Sequence, residues 1–252
     1  MMHLYIAIVA AISSLFMWTV HILTLFPEIY PGLLASSVIG RALSTIWGLE
    51  AFNIRDFATD KHRTVDDSPY GGGSGMVLRP DVLGRAIEQC FIKNAKPIYY
   101  LSPRGRMFNQ GVAQELVSMT TGINIICGRY EGVDERIFQE YKISEISLGD
   151  FVVSSGDVAL LPLIDCCVRM LPGVLKKEDA LQNESFGSAE SYLNLLEYPH
   201  YTKPCEWRTH KVPKTLLSGH HAEIARWRLE QAEEKTRALR PDLWSRYINN
   251  NK

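Results

Sequence analysis

The run Ile123 to Ile126, apolar except at Asn124, ends abruptly at Cys127, and the nine positions Gly128 to Arg136 then hold two Gly, two Arg and three carboxylates. A short apolar run bounded by glycine reads as a buried strand. The pattern recurs: Pro97–Leu101 opens into Ser102-Pro103-Arg104-Gly105-Arg106, and Glu145–Leu148 opens into Gly149 to Gly156. Segments with helical spacing separate these runs: Asp81 to Ile92, Asn109 to Met119, Asp134 to Tyr141, and Val158 to Leu171, which Pro172-Gly173 stops. Short apolar strands alternating with helices predict an α/β fold with a parallel sheet. The loops at the carboxyl ends of such strands form the ligand crevice. The alternative for Gly128–Arg136 is a solvated turn with Asp134 capping the helix after it.

The first strand is read in Thr19 to Phe26, ending at Pro27. Leu4 to Phe26 as a whole is long and apolar enough to span a bilayer, but no Lys or Arg precedes it, so it lacks a signal peptide's basic start. We read residues 1–16 as an extension, with a domain beginning at Met17, and expect no stable membrane association. Glu28 to Leu43 has helical spacing, through Ile29, Leu33, Val38, Ile39 and Leu43; Trp47 to Phe57 is shorter and mixed. Residues 176–191 are polar and read as a flexible linker. Beyond them a helix runs from about His221 to Leu239, so 192–252 forms a small helical domain.

Charge is uneven along the chain. Residues 1–199 carry 16 Lys and Arg against 22 Asp and Glu, whereas residues 200–252 carry 11 against 6. A basic end on an acidic body suits a polyanion, although taken alone a helical tail with a solvated basic face accounts for it better. The five cysteines (Cys90, Cys127, Cys166, Cys167 and Cys205) form no CxxC pair, and the histidines form no HExxH. This excludes a thiolate zinc centre and a disulfide scaffold, and fits a reduced cytoplasmic protein.

None of the three strand-end loops is a GxGxxG or a GxxxxGK[ST], so a standard dinucleotide fold and a P-loop are both excluded. Backbone groups of three Gly- and Ser-rich loops can still hold a flat ligand. Tyr70-Gly71-Gly72-Gly73-Ser74-Gly75 reads as an ordered loop because Asp66-Asp67 and Met76 flank it. The paired carboxylates there suit orienting a base or holding Mg²⁺, or are merely solvated.

These pieces together resemble the bacterial tRNA (guanine-N1)-methyltransferase family of the SPOUT superfamily. The resemblance is carried by Leu25-Phe26-Pro27-Glu28, Arg55-Asp56-Phe57, Thr64 to Met76, Tyr100-Leu101-Ser102-Pro103, Cys127 to Arg136, Gly149-Asp150, Leu171-Pro172-Gly173-Val174-Leu175, Pro199-His200-Tyr201-Thr202, Leu217-Ser218-Gly219-His220 and Ile224-Ala225-Arg226-Trp227-Arg228, in that order. It implies a deep trefoil knot in residues 17–175 and S-adenosylmethionine as cofactor. The cofactor site it implies is Tyr100, Leu101, Ser102, Pro103, Gly105, Gly128, Glu131, Leu148, Gly149, Asp150, Phe151, Val152, Val153, Ser155 and Gly156. It implies tRNA as partner, contacted by Asp66, Arg129, Tyr201, Lys203, His220, Arg226 and Arg228, and places Arg169 near the target guanine at tRNA position 37. It also implies a homodimer with the active site between subunits, and dependence on Mg²⁺ without a protein metal centre. The family's linker base is an Asp. Here Glu184 stands in its place, one methylene longer, with Asp179 as the runner-up. A non-catalytic RNA-binding homologue is the alternative that this exchange keeps open. Arg104, Phe151, Val153, Ser155, Ala159 and Glu197 are smaller departures from the family pattern.

Overall fold

The computed structural model of the chain describes residues 17–177, 181–187, 189 and 192–250. The extension at 1–16 and the runner-up base Asp179 lie outside the described residues. Two compact units divide between Leu175 and Lys176.

The first unit is built on five parallel strands: β1 (Trp18–Thr24), β2 (Trp47–Asn53), β5 (Ile98–Met107), β6 (Gly122–Ile126) and β7 (Ile143–Ser147). Their spatial order is β2-β1-β6-β5-β7. Side chains alternate across a strand, so each strand supplies both faces of the sheet. Trp18, Val20, Ile22, Tyr99, Leu101, Ile123 and Ile125 join one core, with Leu116 and the apolar side of the helix Gly156–Val168. Leu23, Ile98, Tyr100 and Ile126 join the other, under the helix Pro80–Cys90. This is a three-layer α/β arrangement, and parallel pairing puts the carboxyl ends of β1, β5, β6 and β7 along one edge.

Several sequence expectations are corrected. Glu28–Leu43 is not one helix. It is two 3₁₀ turns, Pro27–Ile29 and Gly32–Ala35, followed by the short helix Ser37–Ala42. Pro31 disfavours helix in the residue before it, and Gly32 takes φ +50°, which ends the helical path. Trp47–Phe57 contains the edge strand β2, whose outer half is only partly covered and so lacks a clean apolar pattern. Ser102–Arg106 lies within β5 as a register break between Leu101 and Arg106 against β7, not as a loop after the strand. Asp134 precedes the cap position, Glu135; its carboxylate accepts from the Arg136 backbone N–H at 3.0 Å. The first strand is where the sequence placed it: Trp18–Thr24 is hydrogen-bonded on both sides, to β2 and β6. No helix among the described residues is long and apolar enough to cross a membrane.

A half-buried polar cluster around the buried Asn124 sits on the face under the helix Pro80–Cys90. Asn124 pairs in register with His21. Asn94 Oδ1 accepts from the Lys96 backbone N–H at 3.0 Å, which fixes its amide, and its Nδ2 donates to His21 Nδ1 at 2.8 Å. His21 Nδ1 therefore accepts and its ring proton sits on Nε2, 3.7 Å from Glu50; burial outweighs that exposed carboxylate and, with Lys96 nearby, lowers the pKa to about 4. An unfolded chain takes up the proton near pH 6.5, so stability present above that pH is lost as pH falls from 6.5 toward 4. We expect a loss on the order of 1–2 kcal/mol after solvent screening. Urea unfolding at pH 7.5 and pH 5, with the His21 ring titration followed by NMR, checks this.

The second unit is described by itself. Its small core joins Tyr192, Leu195 and Ala232, with Leu229, Trp244 and Tyr247 packed around them, on the helices His221–Leu239 and Pro241–Asn250. Residues 181–187 form turns tied back by Phe186 N–H to Leu195 O at 3.1 Å. Sequence reading missed the small hairpin Glu206–Trp207 with His210–Lys211, whose Arg208 lies 4.5 Å over the Trp207 ring.

Candidate active site

The carboxyl half of β5 and the loops after β6 and β7 line a cleft of about 530 Å³ at the carboxyl edge of the sheet. That volume suits a drug-sized ligand. The loop after β6 is anchored from outside: Leu78 N–H donates to Gly132 O at 2.9 Å, and Glu131 N–H to Met76 O at 3.0 Å. The Gly-rich stretch ending at Gly75 thereby lies against the Glu131 side chain, where a Cβ on Gly75 would stand 2.5 Å from its carboxylate. The loop after β7 returns onto the loop after β6, through Gly156 N–H to Gly128 O at 2.9 Å. Gly156 is forced by that approach: a Cβ there would meet Cys127 Cα and Gly128 N at 2.9 Å, both backbone atoms.

The cleft wall takes Tyr100, Leu101, Ser102 and Pro103 from β5, and Gly128, Arg129 and Glu131 from the loop after β6. From the β7 loop come Leu148, Gly149, Phe151, Val152, Val153, Ser155 and Gly156. Gly105 is placed off the wall, where its backbone packs against Glu145 and Ile146 in the register break. Asp150 is exposed and likewise off the wall. Arg169 caps the end of the helix Gly156–Val168 and is half-buried outside the cleft lining. Asp66 sits on the two-residue strand β3 (Asp66–Asp67), opposite Leu78 of β4 (Val77–Leu78).

Burial raises the Tyr100 hydroxyl to about 12, so it stays protonated beside Gly128. Its ring meets Phe138 edge-on at 5.4 Å. Arg104, on the rim, pairs with Glu135 and Glu145 at 3.2 Å each. Tyr130 adopts φ +59°, left-handed for a non-glycine residue, at the tip of the charged loop. Among the described residues, no group of three His, Cys, Asp or Glu side chains converges as metal ligands.

Residues 17–246 match the family described as tRNA (Guanine-1)-methyltransferase TrmD. The chain belongs to this family. Among similar proteins are those named tRNA (guanine-N(1)-)-methyltransferase from Rhodospirillum rubrum, 50% identical over 90% of this chain and 92% of that one, and from Ruegeria pomeroyi, 49% identical over 91% and 93%. The one from Bartonella henselae is 48% identical over 91% and 96%.

For a member of the tRNA (guanine-N1)-methyltransferase family, the cleft fits S-adenosylmethionine. Its wall offers apolar surface from Leu101, Leu148 and Val153, close backbone approach at Gly128 and Gly156, and a carboxylate, Glu131, to offset a cation.

The remaining sequence-derived candidates lie in the second unit. Glu184 is half-buried, on the turn whose Gly187 N–H donates to Glu184 O at 2.8 Å. Tyr201 is half exposed and tilted against Trp227, ring centres 6.3 Å apart. Arg228 lies 4.8 Å over Tyr198, Arg226 pairs loosely with Glu230 at 3.9 Å, and Lys203 and His220 are exposed. Sequence reading missed Asp157, which is 2% exposed at the start of an apolar helix. A lone carboxylate entering a run of Val, Ala and Leu was the available signal.

Proposed function

We propose that this chain is an S-adenosylmethionine-dependent methyltransferase that modifies N1 of the guanosine at tRNA position 37. Family membership supports the reaction, and the cleft is the observation that carries the reading: the loops after β6 and β7, in backbone contact, face the carboxyl half of β5 across a space that Glu131 lines. When bound there, the cofactor supplies an electrophilic methyl on a sulfonium. Tyr100, Leu101, Ser102 and Pro103 take the flat base, Gly128 and Gly156 allow backbone contact, and Glu131 faces the positive end.

Glu184 is the general base in this reading. It accepts the N1 proton of guanosine as the N1–methyl bond forms and the sulfur–methyl bond breaks. Arg169 stabilises the charge that builds on guanine O6. Target bases must leave their stack to be reached, and Tyr201, Lys203, His220, Arg226 and Arg228 supply the cations and aromatics that hold such an RNA. Asp66 and Arg129 complete the RNA contacts. The reading includes a homodimer in which a partner chain brings its Glu184, a cytoplasmic location, Mg²⁺ as an accessory ion, and the family's trefoil knot.

The test is transfer of labelled methyl to a tRNA transcript carrying guanosine at position 37, beside the same transcript with adenosine there. Label in the first alone is expected. No label in either, with cofactor bound, supports the RNA-binding homologue instead.

A further inference from the structure

The Leu25-Phe26-Pro27-Glu28 turn has no part in the chemistry above, yet the residues around it converge on one buried carboxylate. Asp157 Oδ1 accepts from Thr24 Oγ1 at 2.6 Å and from the Tyr30 hydroxyl at 3.0 Å. The same hydroxyl lies 3.7 Å from Cys127 Sγ. Because the phenol's proton goes to Asp157, the thiol is the donor in that contact. Burial raises both the Tyr30 and Cys127 pKa values, so each stays protonated in this role. Oδ1 is thus satisfied twice.

Oδ2 is not. Among the described residues it has no hydrogen-bond partner, and neither has the buried Nε of Arg129, which faces it at 3.9 Å. The Arg129 guanidinium also lies 4.4 Å over the Phe26 ring, and Phe26 N–H donates to Thr24 Oγ1 at 3.1 Å. One oxygen of a buried charge is therefore left for one cation, since unpaired burial of either group is costly. A guanidinium carries five N–H donors in one plane. With Nε turned to Asp157 and one face on Phe26, the Nη edge is what remains, and Arg129 lines the cleft.

We propose that Asp157 is a positioning residue that, with the Phe26 ring, fixes Arg129 so that its Nη edge meets an oxyanion entering the cleft. The oxyanion is the α-carboxylate of the cofactor or a phosphate of the RNA. The 3.9 Å gap exceeds a charge-assisted hydrogen bond by about 1 Å, and ligand binding closes it. This inference rests on the methyltransferase reading and deepens it at the same cleft.

The test is a double-mutant cycle in kcat/KM for methyl transfer, using Asp157→Asn, Arg129→Ala and the pair, with Asp157→Glu as rescue. Asp157→Asn keeps an acceptor for Thr24 and Tyr30, removes the charge, and turns the atom that faces Arg129 Nε from an acceptor into a donor. We expect it to lower kcat/KM at least about 10-fold, with the double variant no worse than Arg129→Ala alone, because a positioning residue has nothing left to position. Asp157→Glu should recover part of the loss. A raised cofactor Kd by calorimetry assigns the carboxylate; a raised tRNA KM at unchanged Kd assigns the phosphate. Asp157→Asn within twofold of an active wild type, or losses that multiply in the double variant, overturns the proposal. If Asp157→Asn gives no cooperative unfolding transition, the Arg129 Nε–H resonance of the wild type decides. A downfield, slowly exchanging signal on adding S-adenosylmethionine or tRNA supports the proposal, and an unchanged signal with both overturns it. Absence of transfer by the wild type instead sinks the methyltransferase reading on which the proposal rests.

Discussion

Replacing Glu184 with Gln lowers kcat for methyl transfer by about 10²–10⁴-fold and leaves the cofactor Kd unchanged, the range that a positioned general base contributes. Gln keeps the size and hydrogen-bonding reach of Glu but takes up no proton. The turn that carries Glu184 is itself pinned: Gly187 N–H returns to Glu184 O, Phe186 N–H to Leu195 O, and Glu197 N–H donates to Ser185 Oγ at 3.0 Å. The carboxylate is thus presented by an ordered segment of the second unit, so its reach is set by the turn and by its extra methylene. Catalysis responds to displacements on the order of 1 Å. Glu184→Asp therefore moves kcat and leaves cofactor Kd alone, whereas Glu184→Gln abolishes the proton acceptor outright. Pre-steady-state rates in a single turnover separate this chemical step from tRNA release.

Replacing Gly156 with Ala destabilises the first unit by about 1–3 kcal/mol and weakens cofactor binding at least about 10-fold. The added methyl stands 2.9 Å from two backbone atoms, Cys127 Cα and Gly128 N, and neither is the free end of a side chain. The loop after β7 has to lift from the loop after β6. That breaks the Gly156 N–H bond to Gly128 O, and it opens the cleft between the walls that hold the ligand. Calorimetric titration of S-adenosylmethionine alongside a thermal melt reads both effects, and a normal Kd in a fully folded variant contradicts the packing argument.

The sheet was legible where a short, nearly unbroken apolar run ends at glycine or proline. Val20 and Ile22 fall to one core and Leu23 to the other, as a parallel strand buried on both faces requires. The helix His221–Leu239 was legible from its composition and from Pro241 beyond it. The cleft-lining loops were legible because glycine and serine mark close backbone approach. What stayed hidden depends on long-range contact. β2 looked mixed because it is an edge strand, and the register break in β5 looked like a loop because Pro103 and Gly105 punctuate it. The Asp157 cluster joins Thr24 to a residue 133 positions away, and no local pattern encodes that meeting. The charged loop Gly128–Arg136 was singled out on local composition, but the carboxylate that faces Arg129 comes from the start of a different helix.

The most direct measurement of the central claim is the identity of the nucleoside made. A tRNA transcript with guanosine at position 37 is incubated with enzyme and S-adenosylmethionine, digested to nucleosides, and separated against standards methylated at N1, N2 and N7. The account predicts 1-methylguanosine alone, because a carboxylate base acts on the N1 proton. A product methylated at N2 or N7, made by the wild-type chain, would contradict it.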